Sequence, residues 1–398
     1  MLARLGMIAR PGNPSQARLL AGAETNALTV DFTDLSAVIR DTVTPANNFS
    51  GNPNTKLTYT APSTKWILGS NGLYSSGTTL RTEYNTSGVA LGLRLEEQRI
   101  WLALQNRDGA QAAWTKTNGT ATRTATGADG VSSNATTFTA TSANATIIQN
   151  ITSGAATRIT SLLIRRRTGS GTIELTQDNG ATWTDITSGV TSAGYVVKAT
   201  PSASLANPQV GIRLATSGDA IDFDFFGHEV GSFVTSPVEV AGASVTRTAD
   251  FVKIADSLFN CSDTVGTLYA KINKPTANLT GFSRVMQLNN ADASDKSGFY
   301  LSGAGVVTEA DGLSIDPGSY SVTGGVSNKI AISFQNASQS SMVNANALIT
   351  NTNAFTVALD RLQIGNNAGS GQVLNGWMQQ FAYFPRRFTD PQLQALTA

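Results

Sequence analysis

The sequence predicts an all-β protein, and three observations lead there. Short runs alternate apolar and polar residues with a period of two: Leu28, Val30 and Phe32; Ile173 and Leu175; Val210, Ile212 and Leu214; Ile221, Phe223 and Phe225; Leu268, Ala270 and Ile272; Ile330, Ile332 and Phe334. Turn-forming clusters separate these runs, among them Asp178-Asn179-Gly180, Gly324-Gly325 and Asn366-Asn367. No stretch keeps the period of a long helix. A run with one dry and one wet face needs a second sheet to cover the dry one, so the expected architecture is layered sandwiches.

Composition narrows the function classes. At 398 residues the chain has room for two or three domains. Charged residues make up 14% and the net charge is +1, so there is no polyelectrolyte signal for nucleic acid or an anionic membrane. No apolar run approaches the ~18 residues of a membrane span. The single cysteine, Cys261, leaves no intrachain disulfide framework. Arg4, Arg10 and Pro11 break up the start of the chain, which does not read as a signal peptide.

Taken in order, residues 1–26 read as an N-terminal arm. Met1, Leu2, Leu5, Met7 and Ile8 fit one side of a short helix that Pro11, Gly12 and Pro14 then break. Arg4, Arg10 and Arg18 make this arm a candidate for attachment to another subunit, against the alternative of a frayed terminus. Residues 27–108 read as an extended β region, with strands expected at 27–32, 56–60, 66–68 and 79–84 and little core of its own. A sandwich is expected over 109–236 and a second over 237–398, with further short strands at 355–359 and 362–364. The closing segment concentrates Trp377, Phe381, Tyr383 and Phe384. Met378, Phe381 and Tyr383 do not share one two-residue phase, and a bulge near Gln379–Gln380 reconciles them. Pro385 ends that strand, and Thr389 caps a last short helix with Leu393 and Leu396 on one face.

Few residues point to chemistry. His228 is the only histidine, which excludes a His-rich zinc site. No Gly-x-Ser-x-Gly elbow accompanies it, so it reads as a structural or surface residue rather than a catalytic base. The acid pairs Asp222/Asp224 and Asp292/Asp295 leave glycoside hydrolysis open. The run from Leu288 to Tyr300 gathers side-chain oxygens beside aromatic rings, which suits calcium or sugar hydroxyls as well as a plain Asx-turn loop. Asn289, Asp292, Asp295 and Tyr300 are therefore the carbohydrate-binding candidates. Trp183 joins them as a stacking platform, with Trp66 and Trp377 as other rings of that kind. Arg165-Arg166-Arg167 reads as a solvated strand end that discourages sheet-to-sheet pairing. No cofactor is expected.

Two segments resemble known families. Gly376-Trp377 followed by Phe384-Pro385-Arg386-Arg387 and a small helix resembles the closing strand of laminin G-like, concanavalin-type sandwich domains, in the versions found at the C-termini of bacteriophage virion proteins. Gly92-Leu93-Arg94-Leu95-Glu96-Glu97-Gln98-Arg99, an apolar segment, then Ala113-Trp114-Thr115-Lys116-Thr117 resembles a phage tail-fibre or head-fibre pattern that leads into a carbohydrate-binding-module-like jelly roll. Ile100-Trp101 departs from that pattern, which has Thr-Asn there. Ala128-Asp129-Gly130-Val131, Ala143-Asn144-Ala145-Thr146 and the bridge from Ser236-Pro237 to Val245-Thr246-Arg247-Thr248-Ala249-Asp250 continue the likeness. Thr176-Gln177-Asp178-Asn179-Gly180-Ala181-Thr182-Trp183 resembles the Asp-box of sialidases. It occurs once, with Thr176 for the opening Ser, and so reads as a stabilised hairpin.

The resemblance implies a non-enzymatic virion structural protein, assembled in the bacterial cytoplasm. It would be a tail fibre, spike or baseplate appendage whose two sandwich (jelly-roll) domains bind host-surface polysaccharide. Its partners would be other virion proteins and copies of itself, with a homotrimer the first expectation. A capsid decoration or head-fibre protein is the alternative, and a glycan-degrading enzyme a second.

Overall fold

The computed structural model describes residues 27–39, 49–60, 63–258, 262, 264–279, 281–289, 296–310, 313–336, 338–352, 361–367 and 372–398. The arm with Arg4, Arg10 and Arg18, the residues Cys261, Asp292 and Asp295, and the expected strand at 355–359 lie outside the described residues.

Among the described residues the chain is built of strands, with one α-helix, Asp390–Thr397. Two sandwiches account for nearly all of them. In the first, a sheet with the path Gly119–Ala125, Ala135–Ala140, Ala220–Val230, Ala156–Thr168 and Val196–Ala199 packs on a sheet ordered Thr115–Thr117, Ala145–Asn150, Gln209–Leu214, Ile173–Thr176 and Thr184–Asp185. Phe138, Ile147, Leu162, Ile164, Leu175, Ile212, Ile221 and Phe223 fill the space between them. Trp114 lies edge-on to Phe226, with ring centroids 4.9 Å apart. These inward residues are the ones the two-residue alternation selects.

The second sandwich is organised around the strand Gly376–Phe384. It lies between Leu28–Asp31 and Val265–Asn273, and it also pairs with Ala90–Leu95. Lys271 faces Gln380 and Ile272 faces Met378, so Gln379 is the extra residue of a bulge. The bulge lets Met378, Phe381 and Tyr383 all point into one core. The opposing sheet contains Phe282–Asn289, Lys296–Ser302, Arg361–Ile364, Phe251–Ala255 and Thr58–Thr60. The helix packs Leu393 and Leu396 on the far face of the first sheet, against Tyr269, Ala331, Met342 and Phe388. Gln392 Oε1 accepts the Thr389 N–H at 2.9 Å and caps the helix start.

The strands of the 27–108 stretch belong to both sandwiches. Leu28–Asp31 and Ala90–Leu95 join the closing strand, Thr58–Thr60 pairs with Phe251–Ala255, and Arg99–Trp101 pairs with Ala220–Val230 and Val245–Arg247. Phe32 and Phe381 stack in the second core, with ring centroids 5.9 Å apart. Sequence alternation assigns this segment to strands; some pair locally, as Lys65–Leu68 does with Tyr74–Gly77, and others with strands more than 100 residues away.

A buried ion network ties the pieces together. Lys65 Nζ donates to Asp250 Oδ2 at 2.6 Å and to the Arg94 carbonyl at 2.8 Å. Asp250 Oδ2 also accepts the Glu96 N–H at 2.9 Å. Glu96 takes Arg94 Nε at 2.7 Å and the Ser236 N–H at 2.7 Å. Arg94 lies over the Trp377 ring, 5.0 Å from its centroid, while Trp377 Nε1 donates to Glu83 at 2.7 Å. Burial alone would neutralise Glu96, but Arg94, Arg247 and Lys65 overcome it and hold the carboxyl far below the usual range. Burial likewise works against the Lys65 charge, and Asp250 more than offsets it, so the ammonium is held above its ordinary pKa.

Candidate functional site

One strand departs from the expected wet-face, dry-face pattern. Ala220–Val230 is buried on both faces: Asp222 is 2% exposed and Asp224 is fully enclosed. Each carboxylate survives burial because arginines meet it. Asp224 accepts Arg107 Nε at 2.7 Å, Arg107 Nη2 at 2.9 Å and the Ala128 N–H at 2.8 Å. The hairpin of Lys65–Leu68 and Tyr74–Gly77 covers this end of the sheet, with Trp66 stacked 5.1 Å from Phe225. Phe225 reaches that cover because its φ of 45° marks a bulge, after which Phe226 returns to the core. Burial raises the Asp224 pKa, with Arg107 opposing.

One row further along, the same sheet face sets exposed and half-buried residues around the buried Thr137 and Asp222. Strand register sets Thr122, Thr137, Asp222 and Arg165 side by side across four strands, on the side away from the core. Tyr195, just before Val196–Ala199, extends the row: the Arg165 guanidinium lies 4.8 Å from its ring centroid. Asp222 is the hub. Its oxygens accept Thr137 Oγ1 at 2.7 Å, Arg165 Nε at 3.0 Å and Arg167 Nη1 at 3.2 Å. Thr122, Arg167 and Val197 are exposed around it, and Tyr195 is half-buried with its hydroxyl bonded to the Thr126 carbonyl at 2.8 Å. Burial pushes the Tyr195 phenol well above its ordinary pKa, so it stays protonated. The row offers guanidinium donors, hydroxyls and one aromatic ring on a fixed sheet. Those are the groups that pair with sugar hydroxyls and cover a sugar's C–H face.

Arg165-Arg166-Arg167 ends its strand as expected from sequence and Arg167 is exposed, but the run is not simply solvated. All three are ion-paired: Arg165 and Arg167 with Asp222, Arg166 with Asp219 at 3.3 Å. Ala220–Val230 pairs with the run on one side, while Val196–Ala199 pairs with Ser161–Ile164 just before it; on that side the Arg166 N–H donates to the Thr191 carbonyl at 2.9 Å. The sequence signals were the basic run and the alternating Asp222 and Asp224; their cross-strand meeting follows from register alone.

The structure separates the sequence-selected binding residues. Trp183 sits on the first sandwich, after the Asp178-Asn179-Gly180 turn, with Arg213 4.4 Å from its ring centroid. Asp178 holds that hairpin by accepting Thr176 Oγ1 and the Thr182 N–H, each at 2.9 Å. These bonds hold the Asp178 carboxyl below the usual range despite some desolvation. Asn289 and Tyr300 lie on neighbouring strands of the second sandwich. Asn289 is fully buried, and Arg284 covers Tyr300 at 4.7 Å. Trp183 is thus on a different sandwich from Asn289 and Tyr300, and these three described candidates do not form one constellation.

His228 is enclosed in the first sandwich with Nδ1 2.9 Å from Thr160 Oγ1. Burial, with Arg158 adding to it, pushes its pKa down to about 3.

No family model and no curated protein matches the sequence. Solved structures overlap parts of it. The CBM40 module of a Ruminococcus gnavus sialidase, bound to α2,3-sialyllactose, matches with 19% identity and a TM-score of 0.30 over 34% of this chain and 84% of that one. A Trypanosoma rangeli sialidase in complex with the inhibitor DANA matches with 11% identity and a TM-score of 0.31; the overlap covers 59% of this chain and 32% of the enzyme. The tandem CBM22 domains of Paenibacillus barcinonensis Xyn10C match with 10% identity and a TM-score of 0.26, over 72% and 97%. These likenesses say nothing of what this chain binds.

Proposed function

We propose that the chain is a non-catalytic, glycan-binding structural protein of a bacteriophage virion. The observation that carries the binding reading is the row Thr122, Thr137, Asp222, Arg165 and Tyr195 on the outer face of the first sandwich, where Thr122 is exposed and Arg165 and Tyr195 are half-buried around the buried Thr137 and Asp222. Its polar groups are held by neighbouring strands and by each other, so little side-chain freedom is lost on binding. A shallow strip of this kind holds one sugar weakly. Multiple copies on a particle would raise the avidity by ~10²–10⁴. The virion role rests on the sequence resemblance at 88–117 and 372–398.

The reading is tested by screening the intact chain on immobilised bacterial surface polysaccharides, with a reducing-sugar assay on every polysaccharide bound. Binding without sugar release, lost on Tyr195→Ala, supports it. Release of reducing ends overturns it in favour of an enzyme.

A further inference from the structure

Four amide side chains run in line through the second sandwich, and one carbonyl sets their direction. Asn366 Nδ2 donates to the Asp250 main-chain carbonyl at 2.9 Å. A carbonyl only accepts, so the Asn366 oxygen must face the other way. It takes Gln363 Nε2 at 2.6 Å. Gln363 therefore turns Oε1 onward, where it accepts Asn289 Nδ2 at 2.9 Å and Gln287 Nε2 at 3.3 Å. The orientation of every amide follows from the first, with no free choice of flip. The Asp250 main chain is held by its N–H, which donates to the Glu96 carbonyl at 2.9 Å, and its side chain by Lys65 and the Glu96 N–H.

The line ends on two oxygens. Gln287 Oε1 and Asn289 Oδ1 are buried and, among the described residues, meet no donor. Their side chains alternate along Phe282–Asn289 with Met286 and Leu288, which enter the core, so both lie on the sheet's other face. Gln287, Asn289 and Gln363 are each fully enclosed, and Asn366 is 1% exposed. Buried acceptors that no protein group satisfies mark a bound partner. A cation fits poorly: Lys253 is the cross-strand neighbour of Gln363 on that same face, and the two oxygens are neutral.

We infer that Gln287 Oε1 and Asn289 Oδ1 form an acceptor pair for an enclosed hydroxyl-bearing ligand. Two sources share this chemistry. One is ordered water. The other is a sugar hydroxyl that displaces the cover over these oxygens, on the face that also carries Tyr300 and the exposed Phe282, whose rings lie 5.8 Å apart. The inference concerns the second sandwich and does not depend on the row on the first.

The test is a pair of high-resolution crystal structures of the full chain, one grown free of sugars and polyols, one soaked with cellobiose. An ordered oxygen within ~3.2 Å of Gln287 Oε1 or Asn289 Oδ1 is the expected result. The same water in both crystals assigns the pair to water; its replacement by a sugar hydroxyl in the soaked crystal assigns it to glycan. An empty site in both crystals, or amide nitrogens found where the oxygens are expected, overturns the inference. A third crystal, of Asn366→Leu, checks the relay itself. With the link to the Asp250 carbonyl removed, occupancy of the ordered oxygen should fall by at least half, and unchanged occupancy contradicts the relay.

Discussion

Lys65 Nζ and Asp250 Oδ2 meet at 2.6 Å with their side chains 4% and 1% exposed, and this contact joins a strand of the 27–108 stretch to the start of the second sandwich. An ion pair this deep is costly to break from one side, since the partner is left charged and dry. Lys65→Met should lower unfolding stability by ~3–5 kcal/mol. Urea denaturation of the intact chain reads it; a loss below ~1 kcal/mol would mean that Arg247 and the Glu96 amide hold Asp250 unaided.

His228 supplies a pH dependence. Its folded pKa of about 3 lies below an ordinary 6.5, so between those values the unfolded chain binds a proton that the folded chain refuses. The stabilisation is complete above pH 6.5 and is lost as pH falls toward 3. The slope is at most about 1.4 kcal/mol per pH unit. Urea midpoints measured across that window should fall with acid in the native chain and fall less in His228→Gln. Equal slopes in the two proteins would place the acid sensitivity elsewhere.

The hairpin at Asp178-Asn179-Gly180 has φ values of 64° and 72° at its last two residues. Gly180→Ala puts a side chain in the left-handed region, and its Cβ would meet the Trp183 ring at 3.2 Å. A loss of ~1–2 kcal/mol is expected. Gly154→Ala is the control, since a Cβ there meets nothing within 4 Å. Thermal melts of the two variants should differ clearly, and indistinguishable melts would contradict this account of the turn.

At the proposed glycan row, Arg165→Ala removes both an Asp222 partner and the cover on Tyr195. Binding to a polysaccharide found in the screen should weaken about tenfold, or ~1.4 kcal/mol. Arg213→Ala, beside Trp183, should leave that affinity unchanged. Isothermal titration of both variants separates the row from the hairpin, and the opposite ranking would move the site to Trp183.

How much of this was legible in the sequence depends on range. Period-two alternation located Leu28–Asp31, Ile173–Thr176, Gln209–Leu214 and Ser327–Gln335, because a strand's inward residues repeat within the strand. The bulge at Gln379 was legible for the same local reason. The relation between Thr137 and Asp222, 85 residues apart, was not, and neither was the amide line from Asn366 to Asn289. Register decides both, and register belongs to pairs of strands. The alternation in Ala220–Val230 misled outright. It promised a wet face, and the hairpin carrying Trp66 covers part of it. Trp183, Asn289 and Tyr300 were selected as residue types, and the fold put Trp183 on the first sandwich and the other two on the second.

The most direct measurement is titration of a bound bacterial polysaccharide into the intact chain and into Tyr195→Ala, with reducing ends counted in the same samples. Saturable binding by the intact chain, at least tenfold weaker in the variant and without new reducing ends, is the predicted result. Equal affinity in the two proteins, or reducing ends that accumulate with time, would contradict the proposal that this sheet face holds glycan without cleaving it.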